Sequence, residues 1–308
     1  METLCELSRS IARYAGSAPS GTWQHGPLGL RFGTASRPGE PTHRVYEPVV
    51  ALVVQGEKQI VLGDRTFTCG TGAFLVVSVD LPISFQISRA TREQPYMALA
   101  MTLKPAAVAT LLLEAATAEP VAPQTESAGM GVSDGSPALL EAVVRLVRLL
   151  DHPRDLPVLG PMAEREILWR LLCSEQGHRL RQIGLADSRL SQIGRAMRWM
   201  REHYRDALPI DDLARISAMS VTSFHRHFRA VALMSPLQYL KQIRLQEARA
   251  RLLGSAEDVA SVGHAVGYDS PSQFSREYKR AYGSPPGEDA RLLRAANGQG
   301  GRPAQASK

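Results

Sequence analysis

Between residues 44 and 103, apolar and polar positions trade places in short runs. RVYEPVVALVVQGEKQIVL is rich in Val and Ile, with turn residues at Gly56, Gly63-Asp64, Gly70 and Gly72. TFTCGTGAFLVVSV, ISFQISRA and PYMALAMTL continue the pattern. Short strands separated by glycine turns predict a small β-sandwich or barrel. Residues 22–36 add one or two edge strands, and 118–136 (AEPVAPQTESAGMGVSDGS) reads as a loop by composition.

The pattern then changes period. Leu139, Leu140, Val143, Leu146, Val147 and Leu150 recur at three-four spacing, which predicts a helix over 137–151. A second helix is expected over roughly 161–176, after Pro157 and Pro161. The stretch 177–190 marks a domain boundary, and from there to about 294 the periodicity is helical. The expected organisation is a first domain over 1–180, a second over 190–294 and a disordered tail over 295–308.

Self-comparison of the last third exposes a repeat. Ser220, Phe224, Arg226, Phe228 and Arg229 align with Ser270, Phe274, Arg276, Tyr278 and Lys279 at an offset of 50. Leu213-Ala214 matches Val262-Gly263, and Ser235-Pro236 matches Ser284-Pro285, at an offset of 49. Each unit reads as a short helix, a turn, a capping serine and a second helix. Phe224 and Phe228 share one helix face, as do Phe274 and Tyr278. Arg226 and Arg276 fall on the opposite face. The outward faces carry Ser220, Thr222, His225 and Arg226 in one unit, and Ser272, Gln273, Ser275 and Arg276 in the other. Arginine bonds a guanine edge bidentately, and Thr, Ser or Gln reads neighbouring edges, so both helices suit a DNA major groove. A solvated surface face is the plain alternative for one such helix. Duplication at matched positions argues for the reading role. Between the units, residues 235–254 form one helix of about 27 Å, against about 34 Å between successive major-groove faces.

Charge sharpens the picture. Residues 1–187 hold 17 Lys/Arg against 19 Asp/Glu, whereas 188–294 hold 17 against 11. The positive excess of this 308-residue chain, +6 overall, therefore sits on the repeat, where a polyanion would bind. No run of 18 apolar residues occurs, so no membrane span is expected. Glu2 and Glu6 argue against a signal peptide. Three distant cysteines, Cys5, Cys69 and Cys173, fit a reducing cytoplasm rather than a disulfide framework.

LARISAMSVTSFHRHFR, SPLQYLKQIRLQEAR and VGHAVGYDSPSQFSREYKRAYGSPP, within 195–287, resemble the AraC/XylS family of bacterial transcription regulators. The resemblance implies a helical domain with two helix-turn-helix units. By position, base-edge contacts fall on Ser220, Thr222 and Arg226, then on Ser272, Gln273 and Arg276. Two departures are visible. After the first reading helix the chain runs Ala230-Val-Ala-Leu-Met-Ser, where the family usually has Gly, and the last segment reads Gly287-Glu-Asp289, where it usually has Tyr-Arg. EPVVALVVQGEKQIVLGDRTFTCGTGAFLVVSVDLP and PYMALAMTLKP are similar to the sensor half of one AraC branch. That similarity implies a cupin-like barrel that binds a small effector, a homodimer, and RNA polymerase as a further partner.

The fold class expected is therefore α+β: an N-terminal cupin-like β-barrel with flanking helices, then an all-α domain. A cupin enzyme with a helical appendage is the rival reading. Metal cupins use an HxH pair with a Glu and a later His, but the first 150 residues hold only His25 and His43. No cofactor, metal or catalytic residue is expected. Cys69 reads as a buried small hydrophobe or as a redox or electrophile sensor, and Cys173 as core. Trp23, Tyr46, Phe74, Phe85 and Tyr96 read as aromatic core or as the wall of an apolar pocket. Helix 137–151 reads as core or as a dimer seam.

Overall fold

The computed structural model describes residues 2–15, 20–25, 28–115, 128–254 and 257–299. Its fold is α+β, as expected, and the chain divides into two compact units. Unit 1 comprises Met1–Arg198 with Ala214–Ser235, and unit 2 comprises Trp199–Leu213 with Pro236–Lys308.

Unit 1 opens with α1 (Glu2–Ala15), whose buried Leu7 and Ile11 lie four apart on one face. The strands are β1 (Ser20–His25), β2 (Leu30–Ala35), β3 (Thr42–Tyr46), β4 (Val49–Gln55), β5 (Glu57–Leu62), β6 (Arg65–Gly70), β7 (Ala73–Val77), β8 (Leu81–Arg89) and β9 (Tyr96–Thr102), then β10 (Met130–Asp134). All pair antiparallel. One sheet runs β1-β2-β9-β4-β7-β10, the other β3-β8-β5-β6. The architecture is a sandwich of two open sheets, not the closed barrel expected. β2 is an inner strand rather than an edge, and β10 lies within the stretch read as loop, paired Met130↔Val77 through Asp134↔Ala73.

Pairing fixes which side chains meet. Val50 and Leu52 stand opposite Met101 and Leu99, and turn toward the helical layer. Val49 and Ala51 turn the other way, toward the second sheet. β4 is buried on both faces, which explains its near-continuous Val/Leu run. α1 packs across β2, β4 and β9. α2 (Pro105–Glu114) follows β9. α3 (Pro137–Arg148), capped by Ser136 accepting from Leu139 N at 3.2 Å, buries Leu139, Val143, Leu146 and Val147 against α1, α4 (Leu156–Leu172) and the sheet. Both its apolar stripes are thus covered within the chain, which matches the core reading of this helix. α4 starts five residues before the expected position, with Pro157 in its first turn. The expected linker 177–190 contains α5 (Gly177–Gly184).

The repeat folds as helices. α6 (Arg189–Glu202), α7 (Ile210–Ile216) and α8 (Val221–Ala232) are followed by α9 (Pro236–Gly254), α10 (Val259–Ala265), α11 (Pro271–Tyr282) and α12 (Pro286–Gln299). α12 continues five residues into the stretch expected to be a disordered tail, and 300–308 lie outside the described residues. The core of unit 2 joins Leu245, Ala248 and Leu252 of α9 to Val262, Val266, Tyr268, Phe274, Tyr278 and Ala290.

Candidate nucleic-acid interface

The repeat seen in the letters is a repeat in hydrogen bonds. Ser220 accepts from Ser223 N and Ser270 from Gln273 N, both at 3.3 Å, so each serine caps its helix. Met219 N donates to Ala214 O at 2.9 Å, and Tyr268 N to Gly263 O at 3.0 Å, closing the two turns alike. Leu233 N donates to Arg229 O and Gly283 N to Lys279 O, closing the two helix ends alike. The left-handed positions also match. Ala218 (φ 52) corresponds to Gly267 (φ 91), and Leu233 (φ 55) to Gly283 (φ 83). The first unit thus reaches without glycine the geometry that the second reaches with it, and the departure noted after the first reading helix leaves its C-cap intact.

α8 and α11 divide cleanly into two faces. Phe224, Phe228, Phe274 and Tyr278 are fully buried. The tilted rings of Phe224 and Phe228 lie 5.4 Å apart between centroids, and Phe274 and Tyr278 meet edge to face at 5.6 Å. Gly263 lets Phe274 approach: a Cβ there would lie 2.9 Å from Cδ1. On the other faces, Ser220, Thr222, His225, Arg226, Ser272, Gln273 and Arg276 are exposed, and Ser275 is half-buried. Each expected reading residue therefore stands where solvent or a ligand reaches it. Arg226 Nη2 lies 3.3 Å from Nε2 of the buried His227, and Gln273 Nε2 donates to Glu277 Oε1 at 3.2 Å. The basic Arg229, Lys279 and Arg280 are exposed beside them.

Three polar clusters of unit 2 hold α11 and the turn before it, and the sequence reading missed all of them. Arg244 donates to Tyr204 O (2.6 Å), Gly267 O (2.8 Å) and Asp206 O (3.0 Å), clamping the turn before α11. Asp289, 6% exposed, receives a two-pronged pair from Arg249 at 2.9 and 3.1 Å and the Tyr278 hydroxyl at 2.7 Å. It occupies the segment where a Tyr-Arg pair was missing. Glu277 accepts from Lys241 (2.8 Å), Tyr268 (2.9 Å) and Gln273. Burial raises its carboxyl, but these three donors outweigh burial and hold it below the usual range.

Between the two sheets lies an open-mouthed cavity of about 400 Å³. Tyr46, Phe85 and Tyr96 line it, as expected of a pocket wall, whereas Phe74 is buried in the helix-facing core. The side chains of Trp23 and His25 lie outside the described residues. Cys69 is buried and burial pushes its thiol up to about 11, with Lys58 pulling weakly the other way. A buried thiol raised in this way fits the small-hydrophobe reading of Cys69 better than the sensor reading. Cys173 is exposed at the end of α4, not core. Among the described residues, no group of three or more His, Cys, Asp or Glu is placed to hold a metal ion, and no helix is long and apolar enough to cross a membrane.

Comparison with known proteins bears on both parts. Residues 28–179 match the family model of the AraC-type transcriptional regulator N-terminus, and residues 213–291 match a helix-turn-helix domain model. The chain is 28% identical over 151 residues to the HTH-type transcriptional regulator ExsA of Pseudomonas aeruginosa, covering 49% of this chain and 54% of that one. It is 26% identical over 151 residues to the HTH-type transcriptional activator RhaS of Escherichia fergusonii (48% and 53% covered). With the virulence regulon transcriptional activator VirF of Yersinia enterocolitica it shares 28% over 166 residues (52% and 59%). The matches thus span about half the length of these curated relatives. In fold, it is similar to apo ToxT of Vibrio cholerae (TM-score 0.53, 10% identity, 88% of this chain and 100% of that one) and to ToxT bound to unsaturated fatty acid (0.53, 8%, 85% and 94%). With a sensor-type sandwich ahead of two helix-turn-helix units, and a family model matched to each region, this chain belongs to the AraC/XylS family of transcription regulators.

Proposed function

We propose that the chain is a sequence-specific DNA-binding transcription regulator whose N-terminal half binds a small-molecule effector, and that it is not an enzyme. The observation that carries this reading is the duplicated reading helix. Arg226 and Arg276 occupy matched positions on exposed faces, each opposite a fully buried aromatic pair. In this reading α8 and α11 each enter a major groove of double-stranded DNA. Ser220, Thr222, His225 and Arg226, and Ser272, Gln273, Ser275 and Arg276, contact base edges. Arg229, Lys279 and Arg280 face phosphates. Ser220 Oγ already accepts its cap bond, so at a base edge it acts as a donor.

The domain limits 1–180 and 190–294 belong to the same proposal. So do a homodimer, a contact with RNA polymerase and a cytoplasmic location. With α3 covered, the dimer face shifts to α4, which exposes Val158, Met162 and Trp169 on one side.

Selection of genomic fragments by the purified chain, followed by footprinting, tests the reading. The expected result is protection of a shared sequence, with affinity falling steeply as salt rises because phosphate contacts release counterions. Equal affinity for the selected and for random DNA would overturn it.

A further inference from the structure

We infer that the sandwich cavity is a site for a small organic carboxylate with an apolar or aromatic body, and that Lys58 is its anchor. The strand pattern already marks Lys58 as anomalous. In EKQIVL, positions 58, 60 and 62 share the inner face of β5, and the last two are Ile60 and Leu62, both fully buried. Lysine stands where that phase calls for a hydrophobe, and it is only 8% exposed. Its Nζ donates to the Tyr46 hydroxyl at 2.7 Å and lies 4.0 Å from the Phe85 ring centroid and 5.0 Å from that of Tyr46. Among the described residues it makes no ion pair. A desolvated ammonium without a counter-ion is costly. The ring faces offset only part of that cost. An anion arriving from outside offsets the rest.

The opposite wall leaves room for one. Pairing places Gly33, Ala51, Ala98 and Ala100 on the cavity-facing side of the six-stranded sheet. Two packed sheets ordinarily interdigitate large side chains, yet here the floor is small. A Cβ added at Gly33 would meet no atom within 4 Å, so its side of the strand opens on empty space. Val49, Ile87, Phe85 and Tyr96 supply apolar walls for the ligand's body. Arg31 and Arg44 against Glu47 leave the lining net positive, which favours entry of an anion. One buried ammonium matches one carboxylate better than a doubly charged phosphate.

The inference rests on the regulator reading only in naming this ligand an effector. Its test uses the full chain and matched probe pairs: cinnamate with cinnamamide, and octanoate with octanamide, with phenylphosphonate as a third arm. Thermal melting and calorimetry read binding. Carboxylates should raise the melting temperature saturably, with the amides bound at least about tenfold more weakly. Lys58→Met should abolish the carboxylate preference, and Lys58→Arg should keep part of it. Should Lys58→Met fail to fold, Lys58→Gln and the wild-type carboxylate–amide difference carry the test. Equal binding of amides, a preference that survives in Lys58→Met, tighter binding of phenylphosphonate, or no shift with any carboxylate at millimolar concentration would each overturn the assignment. Carboxylate binding without specific DNA binding would sink the regulator reading and leave this site standing. DNA binding without carboxylate binding would do the reverse.

Discussion

The two turns of the repeat offer a paired substitution with opposite expected signs. Ala218 and Gly267 occupy the same left-handed position, 49 residues apart. Replacing Gly267 by Ala adds a Cβ 2.6 Å from the backbone carbonyl oxygen of Arg205 and 3.0 Å from the Arg244 guanidinium. The left-handed conformation itself costs an alanine about 1–2 kcal/mol. The carbonyl cannot swing away cheaply, and moving Arg244 weakens a clamp of three charge-assisted bonds, each worth about 1.5–3 kcal/mol. Losing one bond brings the total to about 2.5–5 kcal/mol. Ala218→Gly does the converse. It relieves about 1–2 kcal/mol of conformational strain and gives back about 0.5–1 kcal/mol in chain entropy. The expected net is a gain of up to about 1 kcal/mol. Urea melts of the full chain followed by circular dichroism should show Gly267→Ala strongly destabilised and Ala218→Gly equal to wild type or better. A Gly267→Ala protein as stable as wild type, or an Ala218→Gly protein clearly weakened, would refute the reasoning from turn geometry.

Three further outcomes follow from the polar clusters. Asp289→Ala strands the Arg249 guanidinium, 20% exposed, and the hydroxyl of the fully buried Tyr278, and should cost about 3–5 kcal/mol in the same melts. Ser220→Ala and Ser270→Ala each remove one cap acceptor and should each cost about 0.5–2 kcal/mol, read as a lower denaturant midpoint with an unchanged slope. Glu277 is held below its ordinary value of 4.5, so its contribution is complete above that pH and is lost as pH falls through the lowered folded value. Melts between neutral pH and pH 3 should show this acid loss, and Glu277→Gln should flatten it.

Local patterns carried the helical repeat. Capping serines, aromatics four apart and outward arginines each lie within one turn of chain, so the letters alone specify α8 and α11. The strand runs from 44 to 103 were equally legible, because Val-rich alternation is local. What failed was long-range. Sheet closure depends on which edges meet, and nothing in the spacing of the strands decides between a barrel and two open sheets. β10 (MGVSD) has little strand propensity and forms because β7 offers a free edge. α1 carried a signal that went unread, Leu4, Leu7, Ile11 and Tyr14 at helical spacing. Lys58 was readable too, as the one charge in phase with Ile60 and Leu62. Asp289 and Arg244 were not, since their partners lie 40 and 23 residues away in sequence.

The central claim is that Arg226 and Arg276 read bases. The most direct measurement is the affinity of Arg226→Ala and Arg276→Ala for the selected site and for every single-base variant of it, at fixed salt. Each substitution should cost about 1–3 kcal/mol on the selected site and relax preference at its own base pair, while binding to random DNA changes little. Full affinity with unaltered base preference in both proteins would contradict the account.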